Sequence, residues 1–427
     1  MLCKQVFLVS GQEMQYNGKR KQVITLTIGI IGGGASGMAA ALAAAQNPNA
    51  RIVLFERQAR VGRKLQATGN GRCNLTNMHA LEGGYHGEQA EFSNIALQQF
   101  SPEATLAWFA ELGLLTVAEA SGRVYPYSDQ ANSVVDVLRF ALEQENIQLI
   151  CGTEVTKVKK TGEGFYVTAG EDTYLCDKLI VACGGLAGTK LGGSMAGYKL
   201  LAKFGHRSTK LRPALVQVKC GWNGVAALKG VRANCKVSVR HDGVQTACSE
   251  GELQFTEYGL SGPVIFEVSR DVCTGGQWSC ALDFLPHITE ADLAALLARK
   301  RMGNLTTDEL LTGILHNRLG RVLTRSAGVR NGNICDMTDD EIAAVCYAVK
   351  SFEVELTEPL GMDSAQVTAG GVRTEEFDPA TMESKLIPGL YACGEVLDID
   401  GDCGGYNLQW AWSSGRLAGL SAGKDMA

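Results

Sequence analysis

The chain has 427 residues, 45% of them apolar and 20% charged, with a net charge of −5. At roughly 150 residues per domain, that length predicts two or three domains with ample core. The mildly acidic balance argues against a dedicated nucleic-acid binder, and nine prolines beside 51 glycines exclude a collagen-like or disordered Pro/Gly chain.

Residues 1–21 carry no fold signal and read as an N-terminal extension. The uncharged run 22–50 follows Lys19-Arg20-Lys21 and superficially suggests a signal peptide or membrane anchor. Its interior contradicts that. Val23 to Ile31 is β-branched, Gly32-Gly33-Gly34 would interrupt a spanning helix, and Met38 to Ala45 is short and alanine-rich. Strand, glycine turn and helix is the better parse, and no other stretch suggests a membrane, so the protein is expected in the cytoplasm.

A strand at 51–56 completes a βαβ opening. The glycine-punctuated loop 57–80 follows, then helices near 102–113 and 131–145, then a meander from 147 that ends in the apolar strand 178–182. After Arg212-Pro213 come β-rich segments at 214–220, 234–241, 245–249, 264–269 and 278–284, which suggest a small barrel or sandwich. Helices are predicted near 290–301, 308–324 and 339–350. Thr338-x-x-Glu341 is a capping box and Thr289-x-x-Asp292 a weaker form of one. Strand-like Phe352 to Leu356 returns to the barrel, and a glycine-rich tail with one late helix follows. The fourteen cysteines are scattered, without a CxxC pair or zinc spacing, and are expected to be free thiols with no metal bound. The histidines His79, His86, His206, His241, His287 and His316 are read as surface or internally satisfied side chains.

Gly32-x-Gly34-x-x-Gly37 follows a strand and opens a helix, where a dinucleotide fingerprint belongs. Its glycines permit a tight turn, close approach of a pyrophosphate and helix–strand packing, while the helix N-terminus adds partial positive charge. Glu56 closes the second strand, where a carboxylate accepts from ribose hydroxyls; Arg57 beside it leaves a 2′-phosphate formally open. A second phosphate-friendly segment runs from Val61 to Asn74. Far along the chain, Gly394-Glu395 follows a short strand, and Gly404-Gly405-Tyr406-Asn407-Leu408 opens a helix. A ligand touched from residue 32 to residue 407 is long, as FAD is. No second complete GxGxxG follows a strand, so no dedicated nicotinamide domain is expected; either NAD(P)H docks transiently over the flavin as electron donor or another donor serves.

Gly69-Asn70-Gly71-Arg72-Cys73-Asn74, Phe255 to Pro263, and the tail from Val367-Thr368-Ala369-Gly370-Gly371 to Gly404-Gly405-Tyr406-Asn407-Leu408-Gln409-Trp410 resemble bacterial flavoproteins of the BaiN-like and aminoacetone-oxidase group. These belong to the superfamily built on the glutathione-reductase-type FAD domain. The resemblance implies an α/β fold: a discontinuous Rossmann-like FAD-binding domain (22–212 and 363–427), an inserted β-barrel (213–286, with a return at 351–362) and a small helical domain (287–350). It implies that Gly32, Gly34, Ser36 and Gly37 hold the pyrophosphate and Glu56 the ribose. Lys64, Thr68, Gly69, Asn70, Gly71, Arg72, Cys73 and Asn74 would approach the ribitol and flavin. Val155, Ala182 and Gly184 would lie by the adenosine half. Gly394 and Glu395 stand where related proteins carry a ribitol-binding Gly-Asp, and Gly405, Tyr406, Asn407 and Leu408 would face the flavin pyrimidine edge. Cys183 and Ala196 depart from the family's pattern.

The implied activity is an FAD-dependent oxidoreductase acting on a small molecule by hydride transfer at flavin N5, foremost an NAD(P)H-linked reductase of an activated C=C bond. An amine oxidase using O₂ is the alternative, and a flavin-dependent nucleic-acid-modifying factor a remote one. The flavin is expected where the three parts meet. Arg72 is expected to lower the pKa of its neighbour Cys73, and Trp410 and Trp412 are read as packing residues. Neither an acid/base residue nor an oligomeric state can be assigned.

Overall fold

The computed structural model describes residues 6–7, 26–270, 272 and 276–424. The reading of the extension and of the first strand's opening residues falls mostly outside them. Within the extension, Val6–Phe7 is a strand that pairs in parallel with Asp172–Cys176, a contribution the featureless sequence did not announce. The chain divides into two compact units, Met1–Arg212 with Gln366–Ala427, and Pro213–Ala365.

The first unit is built on a five-stranded parallel sheet. Its strands are β1 (Leu26–Ile31), β2 (Ala50–Glu56), β3 (Ile147–Cys151), β4 (Lys178–Val181) and β5 (Leu390–Ala392), in the order β5-β4-β1-β2-β3. β1 is buried along its whole length, which is why it reads as an apolar run without alternation. Each fully buried Ile or Leu there contributes roughly 1.5–3 kcal/mol. Helix α1 (Ala35–Ala44) is buried on nearly every side, so its alanines need no polar face. Its cover is α2 (Tyr406–Ala422). Cβ atoms at Gly415 and Gly419 would lie 2.3 Å from the Ser36 carbonyl oxygen and 2.2 Å from that of Ala40, so only glycine lets the two helices approach this closely. Trp410 and Trp412 are buried packing residues, as expected.

The second unit contains a closed six-stranded barrel. In order around it run Val218–Cys220, Gly259–Ser261, Val244–Phe255, Arg232–His241, Trp278–Asp283 and Phe352–Pro359. Two element predictions are corrected. The segment predicted as a strand at 264–269 is the helix Pro263–Val268: proline at the first helical position has its φ preset and no N–H to waste, which overrides β-branched Val264 and Ile265. The helix predicted over 308–324 is broken. A turn at Thr307–Glu309 is followed by Gly313 at φ 81°, and the helix Asn317–Ser326 starts only after the His316 side chain caps it. The helices Glu290–Lys300 and Asp339–Lys350 begin at Thr289 and Thr338 as their capping signals predict. Among the described residues no helix is long and apolar enough to cross a membrane, and the twelve of the fourteen cysteines that lie there form no disulfide.

Candidate functional site

The turn between β1 and α1 is a concave backbone cradle. Gly32 sits at φ 111°, and its N–H is held by the Phe55 carbonyl at 2.8 Å. A Cβ on Gly32 would strike the Ala182 carbonyl oxygen at 2.3 Å, and one on Gly37 would strike the Gly32 carbonyl oxygen at 1.8 Å. Gly34 differs: a Cβ there meets nothing within 4 Å, and the same holds for Gly71 and Gly184. The first intrahelical bond of α1 runs from the Met38 N–H to the Gly34 carbonyl. The N–H groups of Ala35, Ser36 and Gly37 therefore have no acceptor within the helix and point outward at its positive end. Ser36 is itself buried, and its hydroxyl lies against Gly394, so its offer to the cradle is its backbone N–H.

Glu56, at the end of β2, accepts from the Gly33 N–H at 2.8 Å and the Gln58 N–H at 2.7 Å. These fix its carboxylate beside the cradle with lone pairs to spare for a diol. The Arg57 guanidinium is turned onto the Gly192 carbonyl. Val155 heads the strand Val155–Thr161, close to the end of β2 through the bond from the Thr153 N–H to the Glu56 carbonyl. Ala182 continues β4 and donates to the Ile31 carbonyl at 2.9 Å.

The loop from Gly62 to Asn74 turns sharply back on itself. Gly69, Asn70, Gly71 and Cys73 all have left-handed φ. Thr68 ties the loop by donating its hydroxyl to the Leu65 carbonyl and accepting the Cys73 N–H at its own carbonyl. Arg72 is paired with Asp129 and Glu119, and its guanidinium lies 3.9 Å from the centre of the Tyr125 ring. This corrects the expectation for Cys73. Burial pushes its thiol up to about 12, with a Thr68 hydrogen bond as the lesser, opposing influence, and Arg72 does not make it a thiolate. Asn74 is buried, and its Oδ1 has no hydrogen-bond partner. Cys183 is likewise pushed up to about 12 by burial.

Lys64 and Glu395 form an ion pair at 2.8 Å, and the second carboxylate oxygen of Glu395 accepts the Thr368 N–H at 2.9 Å. Gly394 is held from both sides, its N–H by Ser414 and its carbonyl by the Trp410 indole. Next along the chain, Gly405 begins α2 at φ 108° with no side-chain cap. The Asn407 amide grips Gly401 in both directions, at 2.8 and 2.7 Å, and Leu408 packs partly buried on the core. The structure thus gathers residues from both ends of the chain on one unit.

One group escaped sequence reasoning. Tyr85–His86 pairs antiparallel with Asp400–Gly401, immediately before the turn that opens α2. The Tyr85 hydroxyl donates to the Tyr406 carbonyl at 3.2 Å, and His86 Nε2 meets Asp402 Oδ1 at 2.6 Å. The signal was Gly83-Gly84-Tyr85-His86-Gly87, a glycine-rich segment like those singled out elsewhere.

The cradle fits a dinucleotide. Open space at Gly34 and Gly184, unsatisfied helix N–H groups, a fixed carboxylate on the second strand and the orphaned Asn74 oxygen each offer it something. Fold and site define an α/β protein with a Rossmann-type dinucleotide domain. The chain belongs to the HI0933-like family, whose Rossmann-domain model matches residues 26–421, a family of FAD-dependent oxidoreductases. It is 40% identical over 408 residues to a 3-dehydro-bile acid delta(4,6)-reductase of Clostridium scindens, covering 92% of this chain and 98% of that one. It is also 31% identical over 390 residues to a ribosomal RNA dihydrouridine synthase of Escherichia coli, covering 90% and 95%. Among solved structures, a 3-ketosteroid delta1-dehydrogenase from Sterolibacterium denitrificans aligns over 93% of this chain and all of that one, at 13% identity and a TM-score of 0.49.

Proposed function

We propose that this protein reduces a C=C bond conjugated to a carbonyl, using FAD held in the β1–α1 cradle. The observation that carries the reading is a chemistry shared by two full-length relatives with unlike substrates. A delta(4,6)-reductase of a 3-oxo bile acid and a synthase of dihydrouridine both, by their names, saturate a carbon–carbon bond in conjugation with a carbonyl. Bound FAD would supply the hydride.

The chain's own residues do the rest. The N–H groups at the start of α1 hold the pyrophosphate, and Glu56 accepts from the adenosine ribose beside Val155, Ala182 and Gly184. Lys64 and Glu395 present a charge pair to the ribitol, and the Thr68–Asn74 loop lies against the ring. The uncapped N–H groups from Gly405 to Leu408 favour negative charge on the pyrimidine edge of the reduced flavin. NAD(P)H is the proposed electron donor, a small molecule the proposed substrate and the cytoplasm the proposed location.

A second reading keeps the chemistry and changes the substrate to a uracil in ribosomal RNA, favoured by the Escherichia coli relative. Anaerobic titration with NADH or NADPH tests the first step: bleaching of the flavin is expected, and its absence with both removes the donor assignment. The reduced protein is then mixed with a steroid 4-en-3-one or with ribosomal RNA, and the one that restores the flavin colour identifies the substrate class. Hydrogen peroxide formation with amines, and no re-oxidation by either substrate, would replace the reading with an oxidase.

A further inference from the structure

Saturating a conjugated C=C needs a hydride at the β-carbon and a proton at the α-carbon. The residue supplying that proton has to be held in place, reachable and next to the cofactor. Three histidines lie in the first unit, and their settings differ. His206 is fully enclosed between Glu376 and Ser384. His79 leans on the exposed Glu82 three residues on. His86 alone is clamped to the turn that opens α2 while keeping 37% of its side chain exposed.

That clamp is rigid. The Asp402 N–H donates to the Gly84 carbonyl at 2.9 Å, and a Cβ on Gly84 would lie 2.8 Å from both Asp402 Oδ2 and the Tyr406 ring. The Tyr85 and Tyr406 rings meet edge to face at 5.8 Å. Asp402 Oδ1 takes the Nε2–H of His86, which orients the ring and leaves Nδ1 without a partner among the described residues. Glu88 is paired with Arg373, Asp398 accepts the Glu88 N–H, and Asp400, the strand partner of His86, is buried.

Resting on the function proposed above, we propose that His86 is the proton donor of the reduction and that Asp402 is its positioning residue. The β-carbon of the substrate receives a hydride from the reduced cofactor, and the π pair moves to leave an enolate. The enolate α-carbon then forms its C–H bond with the Nδ1 proton of His86 in its doubly protonated, cationic form, whose Nε2–H stays on Asp402. The N–H bond breaks, its electron pair stays on nitrogen, and the neutral ring regains a proton from water.

The test uses the FAD-loaded protein reduced anaerobically with dithionite and mixed with 2-cyclohexen-1-one or a steroid 4-en-3-one. In His86→Gln, flavin re-oxidation is expected to slow at least ~100-fold, the usual scale of general-acid catalysis. Asp402→Asn should fall between it and wild type, with FAD content and melting temperature kept in both. Independently of turnover, the His86 ring proton resonances of the oxidised protein should shift when the matching saturated ketone is added. Re-oxidation of His86→Gln at the wild-type rate, or unmoved ring resonances in the presence of bound ketone, overturns the assignment. Wild-type protein that no conjugated ketone re-oxidises overturns the proposed function instead.

Discussion

At the scale of single residues, the cradle glycines differ in what they protect. Gly37 has backbone in the way of any side chain, whereas Gly34 is extended, at φ −77°, and faces open space. Gly37→Ala should therefore damage the fold itself, lowering the melting temperature and yielding little soluble protein. Gly34→Ala should fold normally but place a methyl group where a phosphate belongs. Its apoprotein is expected to melt with wild type, and its FAD affinity to drop at least ~10-fold, which costs about 1.4 kcal/mol of binding. Loss of stability without loss of FAD would refute the cradle assignment. Cys73 gives a second residue-level test. Its thiol is buried and pushed up to about 12, whereas Cys248 and Cys335 are exposed. Brief alkylation of native protein at neutral pH, mapped by mass spectrometry, should mark Cys248 and Cys335 and spare Cys73.

At the scale of elements, the contact between α1 and α2 decides how the cradle is held. Gly419→Ala would push a methyl group into the Ala40 carbonyl, and a loss of roughly 1–3 kcal/mol is expected in urea unfolding. An unchanged midpoint would mean that the helices separate without cost. This is also the scale at which the sequence was least readable. The β1–turn–α1 unit and Glu56 were legible because strand, glycines and carboxylate are local features at fixed spacing. The caps at Thr289 and Thr338 were legible for the same reason. Pro263–Val268 was misread because its side chains favour a strand and only the proline at its start favours a helix. The break near Gly313 was hidden inside an apolar periodic pattern. The pairing of Gly415 and Gly419 with α1, and of His86 with Asp402, joins segments hundreds of residues apart, and no local pattern encodes it.

At the scale of the molecule, the first unit contains a buried ionisable centre that links its two sequence segments. His206 Nδ1 lies 2.9 Å from Glu376 Oε2, and Nε2 lies 3.0 Å from Ser384 Oγ, which itself accepts two backbone N–H groups. Burial holds the imidazole below its ordinary 6.5, outweighing the opposing pull of Glu376. Burial pushes the Glu376 carboxyl up, but its bonds to Arg207 and His206 outweigh that and hold it below its ordinary 4.5. For the histidine, the unfolded chain takes up its proton at a higher pH than the folded one. Stability is therefore whole above pH 6.5 and falls as pH drops below it. The glutamate adds a second loss below pH 4.5. Melting temperatures recorded from pH 7.5 to 5.5 should decline for wild type and decline less for His206→Gln; equal slopes would remove His206 from the account. The order of β5-β4-β1-β2-β3 has a consequence in the living cell. An edge strand of the sheet and the helix that covers α1 are both translated after the entire barrel unit. Until they leave the ribosome, the alanine surface of α1 and one side of β4 stand exposed as a sticky half-site. Nascent chains of this protein should thus be natural clients of holdase chaperones, released only when the final helix docks.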